Sequence, residues 1–152
     1  MKLNPYLNFD GTCREAMEFY QSCIGGEIEA AITYGDMPAP EPGDNPAGCA
    51  EGMDMSKCAH LMAHMRLVAG DIVLMASDSP PGMFEAAAGT ACSLQVDDPA
   101  DARRVFEALS EGGMVFMPFG PTDWAEAFGM VKDRFGIPWM VNCEGNKAHA
   151  FD

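Results

Sequence analysis

The sequence predicts an α+β fold made of two tandem βαβββ modules, and three observations carry that prediction. An aspartate stands fifteen residues ahead of a Gly-Gly pair twice, at Asp10 with Gly25-Gly26 and at Asp97 with Gly112-Gly113, so the halves are offset by 87. Each aspartate follows a short alternating segment, PYLNF (5–9) or CSLQV (92–96), whose Leu7/Phe9 and Leu94/Val96 share one face as a half-buried strand requires. Between aspartate and glycines, Ala16, Phe19, Tyr20, Cys23 and Ala102, Val105, Phe106, Leu109 recur at i, i+3, i+4, i+7, one face of an α-helix.

Taken in order, the first helix opens at Thr12 with Glu15 three residues on, the pattern of a capping box. The second opens at Asp98-Pro99, an N-cap followed by proline at the first helical position. Both end at paired glycines, suited to a left-handed C-cap. Strand-like runs follow: 27–34, 60–68 and 71–77 in the first half, 114–118, 128–132 and 137–142 in the second. Tight turns at Ala69-Gly70-Asp71 and from Asp133 to Gly136 join the last two strands of each half. Pro138 then falls at a strand start, where its missing N–H is tolerated.

These elements give a single domain over 1–152 with modules at about 1–77 and 90–143, a linker at 78–89 and a short C-terminal tail at 144–152. Residues 35–58 carry four prolines and four glycines and read as a long loop, a lid or a disordered connection. Met37, Met53, Met55 and Met83 in these insertions would suit a lid over an apolar ligand or a dimer contact.

The totals bound function. A chain of 152 residues can bury roughly 68–70% of its unfolded surface and fold without staples. The net charge of −14 argues against a nucleic-acid partner, because nothing longer than Arg103-Arg104 would meet a phosphate backbone. No run of membrane-spanning length and no signal-like apolar stretch occurs, so no membrane partner and a cytoplasmic location are expected. Six scattered cysteines without a CxxC are expected to be reduced and buried.

Two fused βαβββ units, Phe19-Tyr20 in a helix soon after Phe9-Asp10, paired glycines and a closing D-x-x-G hairpin together resemble the vicinal oxygen chelate superfamily of glyoxalases, bleomycin-resistance proteins and dioxygenases. More narrowly, PYLNFDGTCREAMEFY, MASDSPPG and TDWAEAFGMVKDRFGIPWMVN are similar to its PhnB-like branch, which bears a 3-demethylubiquinone-9 3-methyltransferase label. No glycine-rich turn of a doubly wound methyltransferase follows the first strand.

The resemblance implies curved, cup-like mixed sheets with flanking helices, and a metal held near Asn4/Pro5, Leu74, Ala91/Cys92 and Met140. Leu74, Ala91 and Met140 offer no hard donor, so no metal site and no cofactor are expected, a divalent metal remaining the alternative.

Alternation along AHLMAHMRLV puts His60, Met62, His64 and Arg66 on one face, towards the cup, with Ile72, Leu74 and Ala76 on the next strand leading out to Asp78. His60 and His64, roughly 13 Å apart on a strand, cannot share a metal as a bare pair. His64 with Asp78 is the candidate acid/base pair. Tyr6, His60, Arg66, Trp124, Phe128 and Trp139 are candidate ligand-binding residues, large rings with few polar groups suiting a small organic molecule.

The expected function is small-molecule binding in a cup, with a homodimer expected from open edge strands. The alternatives are a metal-dependent lyase, isomerase or dioxygenase using His60, His64 and Asp78, and a resistance-type protein that sequesters a cationic drug.

Overall fold

A computed structural model describes residues 1–38 and 55–147. It divides into two units, Met1–Ala86 and Ala87–Asp152. Most of the predicted loop, at 39–54, and most of the tail, at 148–152, lie outside the described residues.

The first unit runs β1 (Tyr6–Phe9), α1 (Cys13–Ile24), β2 (Glu27–Thr33), β3 (Met62–Ala69) and β4 (Ile72–Asp78). Its sheet has the order β1-β4-β3-β2, with β1 parallel to β4 and the other neighbours antiparallel. The second unit repeats this with β5 (Cys92–Gln95), α2 (Pro99–Ser110), β6 (Met114–Gly120), β7 (Ala127–Lys132) and β8 (Pro138–Cys143). Its order is β5-β8-β7-β6, again with one parallel pair, β5 with β8.

Each sheet buries one face under its helix. Ala16, Phe19, Tyr20 and Cys23 of α1 are buried with Leu7, Phe9, Met65, Leu67, Leu74 and Ala76. In the second unit Ala102, Val105, Phe106 and Leu109 of α2 are buried with Leu94, Val131, Trp139 and Val141. Each large apolar side chain hidden in this way contributes about 1.5–3 kcal/mol. The two helical stripes are those the sequence periodicity predicts.

The paired glycines have a packing cause as well as a capping one. A Cβ on Gly26 would collide with the Val68 carbonyl of β3, and one on Gly113 with the Lys132 carbonyl of β7. In both units the backbone leaving the helix crosses the end of the same strand so closely that only glycine fits.

Three local expectations change. The Thr12 side chain makes no capping bond; the first N–H of α1, on Cys13, is instead satisfied by Asp78 Oδ1 from the end of β4, 2.9 Å away. Asp98 does cap α2, accepting from Asp101 N at 2.8 Å, with Pro99 behind it.

The register of β2 on β3 shifts between Ile32 and Thr33, which face His64 and Met62, so Ala63 is an extra residue. This bulge turns Met62 into the core, against the alternation that placed it beside His64. On β4, Leu74 and Ala76 lie across from Leu67 and Met65 and join the core, so Met75 and Ser77 share the face of Arg66 and His64.

Trp139 is also corrected from ligand wall to core. It is 2% exposed, and its Nε1 donates to Asp133 Oδ2 at 2.8 Å. Asp133 Oδ1 accepts from Phe135 N and Ile137 N, which closes the β7–β8 turn.

Cys13, Cys23, Cys58, Cys92 and Cys143 are free thiols. Burial, reinforced by Asp78, pushes the Cys13 thiol up to about 12. Burial followed by nearby carboxylates also raises Cys92 (Asp133) and Cys143 (Glu126, then Asp98). A thiol raised on folding stabilises the fold fully below its unfolded value and loses that contribution as pH climbs through its folded value. Iodoacetamide at pH 8 followed by peptide mapping is therefore expected to leave Cys13, Cys92 and Cys143 unmodified in native protein and to alkylate them in guanidinium. For Cys13 the protection should fade between about pH 9 and 12.

Candidate functional site

The helix-free face of the first sheet carries the polar chemistry. Alternation aims Tyr6 and Asn8 of β1 away from the buried Leu7 and Phe9, and register sets them beside Met75 and Ser77 of β4. His64 and Arg66 of β3 complete that face on the far side of β4.

Tyr6 Oη lies 3.3 Å from His64 Nδ1, with the two rings 5.9 Å apart and tilted by 30°. Ser77 Oγ donates to Asn8 Oδ1 at 3.4 Å. A concavity of about 360 Å³ opens here, floored by Asn8, Ser77 and Ala63 and walled by Tyr6, Tyr34 and Met83, with Asp78, Ser79 and Pro80 at its end. Tyr34 follows the β2 bulge in a 3-10 turn, Tyr34–Asp36, and its hydroxyl donates to the Asp78 carbonyl at 3.2 Å. Thr33 caps that turn. Its hydroxyl and N–H both bond Asp36, and they hold the Asp36 carboxyl below the usual carboxylate range.

Asp78 is not the acid/base partner of His64. Its side chain is 2% exposed, with Oδ1 on Cys13 N and Oδ2 on Met62 N at 2.8 Å, so it clamps β4 to the starts of α1 and β3. His64 is brought to Tyr6 instead. His60 stands exposed in the turn before β3. Arg66 forms an ion pair with Glu29 of β2, a half-exposed contact worth at most about 1 kcal/mol.

Trp124 and Phe128 belong to the second unit. They meet edge to face, with centroids 5.7 Å apart, and Trp124 is 43% exposed. A second concavity, about 340 Å³, lies at the end of β5 and β8 between Gln95, Val96, Asp97, Asn142, Glu144 and Gly145. Asn142 Nδ2 donates to Gln95 Oε1 at 2.7 Å, while its buried Oδ1 has no hydrogen-bond partner.

The residues where a superfamily metal would sit do not fit one. Leu74 is a core side chain, Met140 offers a thioether beside Ser93, and Asn8, Ser77, Gln95 and Asn142 bring amides and hydroxyls. The unconventional set of His60, His64 and Asp78 is not gathered either: His60 stands in the exposed turn, His64 lies beside Tyr6, and Asp78 is buried against Cys13 N and Met62 N. Among the described residues no three of His, Cys, Asp and Glu gather as a metal would need.

Asn8, Tyr34, Ser77 and Ser79 escaped the sequence reading, whereas Met83 is among the methionines it sets over an apolar ligand. Asn8 was legible as the residue alternating with Leu7 and Phe9, but Ser77 was not, because the alternation sets Ala76 on the open face. Tyr34 was not, because a bulge and a 3-10 turn place it.

A two-unit α+β architecture with one parallel and two antiparallel pairings per sheet defines a paired-βαβββ fold. Residues 2–141 match the pattern of the Glyoxalase/Bleomycin resistance protein/Dioxygenase superfamily, and the chain belongs to that superfamily. It is 35% identical to Protein YjdN of Escherichia coli (strain K12) over 142 residues, 93% of this chain and 95% of that protein.

Among solved structures it is similar to protein PA1353 from Pseudomonas aeruginosa, at 45% identity and TM-score 0.81, across 96% of this chain and 99% of that one. It also shares the fold of a PhnB protein from Bacillus cereus whose name includes 3-demethylubiquinone-9 3-methyltransferase, at 21% identity and TM-score 0.70, over 94% of this chain and 99% of that one. The two described sheets are mixed and four-stranded, unlike the doubly wound parallel sheet on which dinucleotide-type cofactors bind. No described helix is long and apolar enough to cross a membrane.

The separation of clamp from site is testable by unfolding. Asp78→Asn sets an amide N–H against a backbone N–H at one of two donors and is expected to cost about 2 kcal/mol in urea denaturation. His64→Ala, on the helix-free face, is expected to change stability by less than about 0.5 kcal/mol.

Proposed function

We propose that the chain binds a small organic molecule on the helix-free face of the first unit, using its own polar side chains rather than a divalent metal. The carrying observation is the 360 Å³ concavity between Tyr6, Tyr34 and Met83 over Asn8 and Ser77. Its volume falls at the small end of ligand sites, and its mix of rings, a thioether and a few convergent polar groups is their usual chemistry. The Tyr6–His64 contact gives the bound molecule a phenol and an imidazole side by side, groups able to share a proton. The cytoplasm is the setting this reading takes, in keeping with the free thiols.

A second reading, sequestration of a cationic molecule, is favoured by one feature of the second unit. There the unpaired Asn142 Oδ1 shares a concavity with Asp97 and Glu144.

One experiment covers both. Protein purified without a histidine tag is denatured and its small molecules are identified by mass spectrometry, with metals measured in parallel. The expected result is a substoichiometric metal content and a captured organic molecule lost in Asn8→Trp, which fills the first concavity. Loss in Asn142→Leu alone, with a cationic molecule, would establish the second reading, and one transition metal per chain would overturn the metal-free part of the first.

The chain is also proposed to form a homodimer. β6 is an edge strand, and it exposes Met114 (61%) and Phe116 (58%), an apolar edge that proteins ordinarily cover. Sedimentation velocity at micromolar concentration is expected to show a dimer that Phe116→Lys shifts towards monomer; a monomer for both chains would refute it.

A further inference from the structure

The helix-free face of the second unit carries a row of thioethers that the readings above leave unused. Met117 of β6 stands opposite Met130 of β7, and Met130 stands opposite Met140 of β8, with Ser93 of β5 closing the row. Met130 and Met140 alternate with Val131, Trp139 and Val141, which are buried on the α2 side, so both point away from the helix.

Met117 reaches this row through irregularities in β6. Val115 pairs with Val131 on the helix side, and an unbroken register would carry Met117 to Gly129 on that same side. There is no room there: even a Cβ on Gly129 would strike the Phe106 ring of α2 and the Phe119 backbone. The register instead shifts between Val115 and Met117, and again between Met117 and Gly120, which sets Met117 opposite Met130. Bulges re-aim single side chains in this way.

Three neighbouring strands place the outer positions of the row roughly 10 Å apart, and the three rotatable bonds of methionine let the outer sulfurs lean towards the middle one. Such side chains ordinarily fill gaps in a core, yet Met117 is 38% exposed and Met130 and Met140 are only half-buried. Thioethers select soft copper(I) over hard cations such as magnesium or calcium. The surroundings agree with that preference. Ser93 is neutral, and Phe128, two residues before Met130 on the same face, packs against Trp124. Lys132, two residues after Met130, adds a positive charge that disfavours a divalent ion more than a monovalent one.

We propose that Met117, Met130 and Met140 form a three-sulfur site for a soft monovalent metal ion, copper(I), on the helix-free face of the second unit. Each sulfur donates a lone pair to the ion, and no bond in the chain breaks. Three neutral thioethers bring no negative charge, so the ion exchanges readily and is not retained through purification. The site goes beyond the small-molecule reading of the first unit and does not depend on it.

The test titrates silver(I), which matches copper(I) in charge and softness without its redox chemistry, into the full chain carrying isotope-labelled methionine methyl groups. Iodoacetamide at pH 8 first blocks the reachable thiols. The methyl signals of Met117, Met130 and Met140 are expected to shift together and to saturate near one equivalent, while that of Met75, on the helix-free face of the first unit, stays in place. Met130→Leu conserves apolar volume and should keep the native spectrum; it is expected to weaken the response of Met117 and Met140 to silver at least about tenfold. Magnesium is expected to move none of the three. The proposal is overturned if silver goes to cysteines and leaves the three signals unmoved, if they respond separately, if Met130→Leu binds as the wild type does, or if magnesium acts as silver does. Each of those outcomes leaves the binding face of the first unit standing.

Discussion

The first unit depends on one carboxylate. Asp78, at the end of β4, accepts from the first N–H of α1 and from the N–H of Met62 where β3 begins. Hydrogen bonds to a buried charge are worth about 1.5–3 kcal/mol each, and this pair also fixes geometry. One contact sets where the helix starts and the other anchors the bulge, so β3 presents His64 and Ala63 to the open face while Met62 goes inside. Tyr34 then leans on the Asp78 carbonyl, and both residues line the concavity.

The second unit solves the same problem in another place. Asp133 sits in the β7–β8 turn, gathers two backbone N–H groups and buries the polar end of Trp139. The corresponding turn of the first unit is the short Gly70 connection, with Gly70 at φ 59°. The repeat thus preserves topology, helix faces and the glycine that passes beneath a strand carbonyl, while each unit acquired its own buried aspartate. Duplicated folds can diverge in this way because the sheet-on-helix core, being apolar, asks only for volume and pattern, whereas a buried carboxylate asks for particular donors.

That distinction also decides what could be read from the sequence. Periodicity reported part of the core: both helical stripes, Leu7/Phe9 and Leu94, with the Pro138 start of β8, are local patterns, and burial acts on them locally. It failed where a partner comes from far along the chain. Thr12 and Glu15 make a plausible capping box, but the Thr12 side chain makes no cap bond, and the first N–H of α1 goes to a residue 65 positions from Cys13. A single bulge at Ala63 was enough to move Met62 to the opposite face, because side-chain period along a strand is two. Trp139 was misread because a ring with a polar end looked like a binding wall; it alternates in phase with Val141, and Asp133 supplies its one acceptor.

The site was least legible because its residues are chemically plain. Histidines, carboxylates and tryptophans attract notice in a sequence, and here Asp78, Asp133 and Trp139 are spent on holding the fold. What remains on the open face of the first unit is an asparagine, serines, two tyrosines and an engaged histidine. Such groups carry little signal singly. Their significance comes from sharing one strand face, with Tyr6 and Asn8 of β1 set beside Met75 and Ser77 of β4. The superfamily's architecture supplies the mixed four-stranded sheet; in this chain, Asn8 and Ser77 line its helix-free face, and amides and hydroxyls are poor ligands for a transition metal.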